Sequence, residues 1–348
     1  MIYIFHAVLI LLLLVLVICA CVLFTNSVEC CGKKYGLADS AVGGVLAAIG
    51  TALPETIVPL VAILGAMFSS SSSSSNLGNE IALGAVLGSP FLLSTVAFFV
   101  TGVSVIVCSF LKKRTCLLCS NPIILIRDLK FFVVSYTIAV LSAFVPFKSV
   151  KCVVAVLLVC YYCWYVKRTL RKEFHCECES ESSDELIFSS WFSVNFKNEF
   201  IFMVLQIIFS LVVLILSAHF FVKEIIYFSN VFNLHPVVMS LLLAPIATEL
   251  PECFNSVIWT GQSKDTLSIS NITGALVFQS CIPAAIGVAF TSWKFDEASF
   301  MSVILVYISL IWLYLNSIMR KGRLNAHVLV FCGIFYLIYI GYVLKNLI

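Results

Sequence analysis

The chain has 348 residues, 61% hydrophobic and only 11% charged, with a mean hydropathy of +1.08 and a formal net charge of +3. Folded in water, such a composition would expose a large apolar surface, so it suits a chain whose solvent is lipid. The small charge, with no basic arm interleaved with aromatics, speaks against nucleic acid as a partner.

A transmembrane helix needs about 20 mostly apolar residues. Ten stretches of this kind follow one another at 2–24, 42–68, 80–110, 129–146, 150–166, 200–222, 235–260, 265–290, 299–319 and 327–346. The first has no Lys or Arg before its apolar run and no small-residue cleavage site after it, so it reads as a span and not as a signal peptide. The third is long enough to contain a break. Between the fifth and sixth lies 167–199, a Ser-rich, mixed-charge segment too polar to span. The expected fold is an all-α polytopic membrane protein of ten transmembrane helices. Residues 1–166 and 200–348 form its two five-helix halves, and 167–199 links them.

Sixteen of the 21 Lys and Arg residues, Arg127 and Lys130 among them, fall on the side of the odd-numbered loops, and five on the other. Cytoplasmic loops are enriched in these cations. The 167–199 loop is therefore expected in the cytoplasm and both termini outside, in a plasma membrane (the inner membrane of a bacterium).

A displacement of 197 residues lays Leu46-Ala-Ala-Ile-Gly-Thr-Ala-Leu-Pro-Glu55 over Leu243-Ala-Pro-Ile-Ala-Thr-Glu-Leu-Pro-Glu252, with Leu, Ala, Ile, Thr, Leu, Pro and Glu matching in register. Shared hydrophobicity could supply Leu and Ile, but not Thr, Pro and Glu together. The copies fall in the second and seventh spans, five apart, so they cross the membrane in opposite directions, as in inverted-repeat transporters. A weaker echo follows: Gly84-Ala-Val-Leu-Gly88-Ser89 corresponds to Asn271-Ile-Thr-Gly274-Ala275, now displaced by 186. The Ser69–Ser75 tract, a spacer by composition, accounts for the difference.

Glu55 and Glu252 each sit about midway along an apolar span, where a carboxylate costs a few kcal/mol. Such a residue is kept where it faces a cavity and binds something positive. Pro54 and Pro251 remove an amide donor beside each and free a carbonyl one turn back. Thr51 and Thr248 precede the glutamates by four residues, on the same helix face. Carboxylate, hydroxyl and carbonyl are hard oxygen ligands, suited to Ca²⁺ and, with fewer charges, to Na⁺. One such Glu could be a structural hydrogen-bond partner; two at matching repeat positions point to a site.

Gly50-Thr-Ala-Leu-Pro-Glu55 and Ala247-Thr-Glu-Leu-Pro-Glu252 resemble the two α-repeat signatures of the sodium/calcium exchanger superfamily of cation/Ca²⁺ antiporters. That signature is typically Gly-Thr-Ser-x-Pro-Glu, followed in the next helix by Gly-Ser-Asn-x-x-Asn or Asp. The resemblance implies Glu55 and Glu252 as central Ca²⁺ ligands, with Thr51 and Thr248 adding oxygens. Ser89 matches the serine of the first following helix, and Gln279 the terminal Asn or Asp of the second. The chain departs from the pattern at four positions. Leu93 stands where the first following helix has its terminal Asn or Asp, with Ser94 beside it, and Ala52, Glu249 and Ala275 replace serines. The lost ligands bear on the number of sodium sites, and Glu249 adds a third carboxylate one turn before Glu252. No cofactor is implied, only transported Ca²⁺ and counter-transported Na⁺ or H⁺ in a lipid bilayer.

Most of the 15 cysteines lie in spans and serve as small hydrophobes. Cys116, Cys119, His175, Cys176 and Cys178 share cytoplasmic loops and could hold zinc, although Cys-x-Cys spacing is unusual; unpaired loop thiols are the plainer reading. The function expected is Ca²⁺ export by alternating access. Its rivals are an exchanger or channel for another cation, and a degenerate cation-binding protein. An intramembrane enzyme would need a His-Glu-x-x-His pair or a converging nucleophile and base, and the sequence has neither.

Overall fold

The computed structural model describes residues 2–52, 55–56, 60, 83–112, 114–171, 186–188, 199–231, 249–320 and 323–347. In chain order the helices are α1 (Ile2–Tyr35), α2 (Asp39–Thr51), α3 (Leu83–Phe110), α4 (Pro122–Leu141) and α5 (Lys148–Leu170). After them come α6 (Glu199–Val231), α7 (Leu250–Gly261), α8 (Asp265–Phe290), α9 (Glu297–Met319) and α10 (Ala326–Leu347). Seven of these, all but α2, α4 and α7, are long and apolar enough to cross a membrane. With no water in the hydrocarbon, a spanning segment must satisfy its own backbone groups, and the helix is the open-ended way to do so. The protein is an integral membrane protein.

Helices α1 and α6 run 11 and 9 residues past the ends that hydropathy gives them, to Tyr35 and Val231, and the structure departs from the sequence expectation in two further places. Hydropathy starts the fourth span at residue 129 and leaves Arg127 in a loop. Instead α4 starts at Pro122, where Asn121 caps it by accepting from the Ile123 amide (3.0 Å). Arg127 and Asp128 are buried inside this helix and paired with each other, Nε to Oδ1 at 2.9 Å. Thr273 of α8 donates to Asp128 (2.9 Å), and the Arg127 guanidinium lies 5.8 Å from the centre of the Tyr165 ring. Pairing is what makes two buried charges tolerable. Moving Arg127 and Lys130 from loop to helix shrinks the charge asymmetry without reversing it. The second departure is a small antiparallel ribbon, β1 (Leu117–Cys119) with β2 (Arg323–Asn325), in a chain expected to be wholly helical.

The core is built around α8, whose most apolar stretch is 83% buried, against 33% for α1 and 28% for α6. Helices α2, α4, α5 and α7 pack around it. Helices α1 and α6 lie against one another and touch the rest mainly through α7 and α2. The His6 ring bonds Glu224 (2.6 Å) and stacks on Tyr227, tying the far ends of α1 and α6 together.

Polar contacts gather the connections into two groups. At one end, Glu29 near the C-terminus of α1 meets Trp259 (2.6 Å) and Lys264. There too, Arg114 after α3 forks onto Asp265 and donates to the Thr260 carbonyl (2.8 Å). The β1–β2 ribbon joins the connection after α3 to the one after α9. At the other end, Lys151 of α5 donates to the Ser292 carbonyl (2.8 Å), and Trp293 donates to the Ala139 carbonyl of α4 (2.9 Å).

Close approach of α2 to α8 depends on glycine. A Cβ added to Gly274 would lie 2.1 Å from the Gly44 carbonyl oxygen, which is backbone and cannot rotate away. Gly274→Ala is therefore expected to lower the melting temperature of the detergent-purified protein and its folded yield, at the upper end of the roughly 1–3 kcal/mol typical of overpacking. A melting temperature equal to that of the native protein would contradict this contact.

Candidate cation-binding site

The two copies of the repeated decapeptide have the same local backbone. Helix α2 stops at Ala52 (φ −84°, ψ 11°), and Glu249 immediately before α7 has φ −85°, ψ 1°. These positions are 197 residues apart, the displacement that relates the sequence copies. Each lies two residues before a proline, whose missing N–H and bulky ring disfavour a continuous helix there. Glu55 and Glu252 thus follow a break in the helical backbone. Pro251 occupies the first turn of α7, the position where proline is best tolerated in a helix.

Glu55, Glu249 and Glu252 converge, one carboxylate oxygen from each lying within 4.8 Å of the other two, and all three residues are buried. Thr51 lies beside Glu252, and its hydroxyl is also within hydrogen-bond distance of the Ala47 carbonyl (3.0 Å). Ser89 reaches Glu249. The Gln279 amide donates to both oxygens of Glu249, at 3.0 and 3.2 Å. Its own oxygen is buried without a partner. The Glu252 backbone carbonyl accepts from Asn271 (3.0 Å), which also donates to Ser256.

The result is a buried cluster of acceptors, with up to three negative charges and few donors among the described residues. Carboxylates this close in a low-dielectric setting cannot all remain charged unless a cation or protons compensate. The chemistry available is reversible binding of a hard cation, with no nucleophile and base arranged for covalent work among the described residues.

Of the residues singled out in the sequence, Glu55, Glu249, Glu252, Thr51, Ser89 and Gln279 come together; Thr248 lies outside the described residues. Gln279 meets the cluster through its donors, bridging Glu249, and not simply as an oxygen ligand. Leu93 packs in the hydrophobic core, inside a π-helical turn at Leu93–Ala97. Ser94 beside it is fully buried and donates to the Phe91 carbonyl (3.0 Å). Ala52 and Ala275 are fully buried and apolar. Asn255, Asn271, Cys21 and Cys253 also border this region and have no place in the sequence-based site. Asn255 carries a signal that could find it, because it stands three residues after Glu252 in an apolar span, where a buried amide is as conspicuous as a buried carboxylate. Of the cysteine and histidine group, Cys116 and Cys119 lie at β1, and His175, Cys176 and Cys178 lie outside the described residues.

A helical membrane protein with a buried acidic cluster at broken helices belongs among ion-handling membrane proteins. The profile of the family described as "Sodium/calcium exchanger protein" matches residues 5–170 and 202–345. The chain therefore belongs to the sodium/calcium exchanger family. Among solved structures it is similar to the sodium-calcium exchanger NCX_Mj soaked with 10 mM Na⁺ and zero Ca²⁺: TM-score 0.71, 17% identity, 97% of this chain and 98% of that one covered. NCX_Mj soaked with 2.5 mM Na⁺ and 0.1 mM Ca²⁺ gives 0.70 at 16% identity over the same shares of the chains. The form in 2.5 mM Na⁺ and 10 mM Sr²⁺ gives 0.68 at 17%, again over 97% and 98%. At these identities the likeness establishes the fold. No curated protein sequence matches the chain.

The Gln279 bridge is testable without any transport. Gln279→Leu deprives the buried Glu249 carboxyl group of its amide donor, and leaving a buried polar group unsatisfied costs about 1–3 kcal/mol. The melting temperature of cation-free protein is expected to fall, and adding Glu249→Gln to be less harmful in the Gln279→Leu background than alone. Strictly additive effects in this double-mutant cycle would show that the bridge contributes nothing.

Proposed function

We propose that the chain is a secondary active antiporter that exports Ca²⁺ from the cytoplasm in exchange for Na⁺ or H⁺ by alternating access. The observation that carries this reading is the convergence of Glu55 and Glu252, at matching repeat positions, with Glu249 as a third carboxylate. On this reading residues 1–166 and 200–348 are two inverted five-helix halves, ten spans in all. The 167–199 linker is cytoplasmic and the termini are external, in the plasma membrane or its bacterial equivalent. The matched backbone breaks at Ala52 and Glu249 and the sorting of the connections into two ends support that arrangement.

Mechanistically, Glu55 and Glu252 bind Ca²⁺ or the driving ions in alternation, with Thr51, Thr248 and Ser89 as neutral oxygen donors and Gln279 holding Glu249. Coupling follows if the switch between inward and outward access occurs only when the carboxylates are neutralised, because bare charge is too costly to occlude. The extra carboxylate favours H⁺ among the two counter-ions. Glu249 supplies a charge that a proton can cancel, while the burial of Leu93 in the core removes an oxygen from the set available to Na⁺.

Glu55→Gln and Glu252→Gln should each abolish exchange in reconstituted vesicles while protein abundance and folding stay normal. Substantial transport by either variant would remove the basis of the assignment. For Glu249 the readout is the pH dependence of Ca²⁺ transport. If Ca²⁺ arrival expels a proton from Glu249, acid should oppose Ca²⁺ binding in the native protein. Glu249→Ser should then flatten the profile or shift coupling toward Na⁺. An unchanged profile with only a modest loss of apparent Ca²⁺ affinity would mean that Glu249 merely attracts cations.

A further inference from the structure

The turn between α7 and α8 is built to hold a lysine against α1. Trp259 stands in the last turn of α7, and its indole donates to Glu29 of α1 (2.6 Å). Ser263 has φ 61°, a left-handed conformation that a non-glycine residue keeps only where its surroundings impose it. Next in the chain, the Lys264 amide donates to the Trp259 carbonyl (2.9 Å), and the Lys264 ammonium pairs with Glu29. One Glu29 oxygen thus meets the indole and the other the ammonium. Glu29 and Lys264 are each only 7% exposed. Asp39, the first residue of α2, is close enough to feel both of their charges.

The same turn is gripped from a second side. Arg114, after α3, pairs with Asp265 and donates to the Thr260 carbonyl, and Asp265 also accepts from the Cys119 amide (2.8 Å). Releasing Glu29 therefore frees α1 and leaves the turn anchored. Behind the Glu29 pair, α1 and α7 close on one another. Trp259 packs with Phe24 and Val28, and Phe254 and Ile258 pack beside Cys21. This seam ends at the carboxylate cluster, since the Cys21 thiol is 3.9 Å from the Pro251 carbonyl, next to Glu252. Cys21 and Trp259 are fully buried. In this arrangement the Glu29 pair and the rings behind it seal Cys21 from that end of the molecule.

We propose that Glu29, Trp259 and Lys264 form a latch between α1 and the α7–α8 turn, which closes one end of the molecule over the carboxylate cluster and opens once in each transport cycle. The proposal rests on the antiporter reading, under which this end is cytoplasmic and must be shut while the other end admits ions. A buried ion pair suits a reversible closure. Its attraction is largely offset by the cost of taking both charges out of water, so parting the helices and rehydrating the two groups costs little. Removing one partner shifts the balance, because the charge left behind is stable only where water reaches it, and that favours the parted state. Replacing both partners by apolar residues removes the need for water and keeps the seam closed.

The test labels the protein in uniformly oriented proteoliposomes with a charged, membrane-impermeant methanethiosulfonate applied from each side in turn. Modification of Cys21 is read by peptide mass spectrometry, and Ca²⁺ accumulation is measured in the same vesicles. Glu29→Gln and Lys264→Met should each speed Cys21 labelling about tenfold from the side of the α1–α2 connection. The double variant Glu29→Leu with Lys264→Met should return it to the native rate. Either single variant suffices if the other does not fold. Single variants that melt earlier but label no faster than the native protein would show a purely structural ion pair and overturn the latch. Equal acceleration in the single and double variants would overturn it too, since lost packing and not a stranded charge would then open the seam. Both results leave the antiporter reading intact while the native protein accumulates Ca²⁺. A native protein that accumulates none under either imposed gradient would sink that reading, and the latch with it.

Discussion

The constraint on which the rest of this structure depends is the mutual repulsion of three carboxylates held within 4.8 Å of one another inside a lipid-facing bundle. Hydrocarbon does not tolerate such charge, and pairing each glutamate with a fixed Lys or Arg would close the site permanently. Three other buried carboxylates are treated in that second way. Asp128 has Arg127, Asp265 has Arg114 and Glu29 has Lys264. Among the described residues, no ion pair joins Glu249 or Glu252 to a cationic side chain. On the antiporter reading, the partner of the cluster comes and goes.

The remaining architecture positions and buries that cluster. Helix α8, nearly all buried, is the wall on which Gln279, Asn271 and Thr273 are mounted. The Gly44–Gly274 contact brings α2 onto this wall closely enough for Thr51 and Glu55 to reach the carboxylates at the start of α7. By contrast the most apolar stretches of α1 and α6 are only 33% and 28% buried. Polar ties of these helices among the described residues include His6 with Glu224, Gln206 with the Leu23 carbonyl and Asn26, and Glu29 with Trp259 and Lys264.

Much of this is legible in the sequence, for identifiable reasons. Apolar runs of about 20 residues leave little choice but a spanning helix, and α5, α8, α9 and α10 fall within a few residues of where hydropathy places them. The repeated Thr-x-Leu-Pro-Glu locates the cluster because a carboxylate beside a proline in an apolar span has no bland explanation when it occurs twice. The start of α4 is hidden because Arg127 and Asp128 look like loop residues until their mutual pairing and the Tyr165 ring are seen. The donor role of Gln279 is equally out of reach, since a family position suggests an oxygen ligand and only geometry shows which end of the amide faces Glu249. Asn255 has no echo at its repeat partner position, Val58, so its only signal in the sequence is that of an amide in an apolar span.

The most direct test of the central claim is ⁴⁵Ca²⁺ uptake into proteoliposomes under separately imposed Na⁺ and pH gradients. An antiporter should accumulate Ca²⁺ against its own gradient under at least one of the two, with no accumulation when both gradients are collapsed. Ca²⁺ flux that only equilibrates whatever gradient is imposed would contradict the claim and mark the chain as a channel, and no cation-dependent flux at all would mark it as a binding protein.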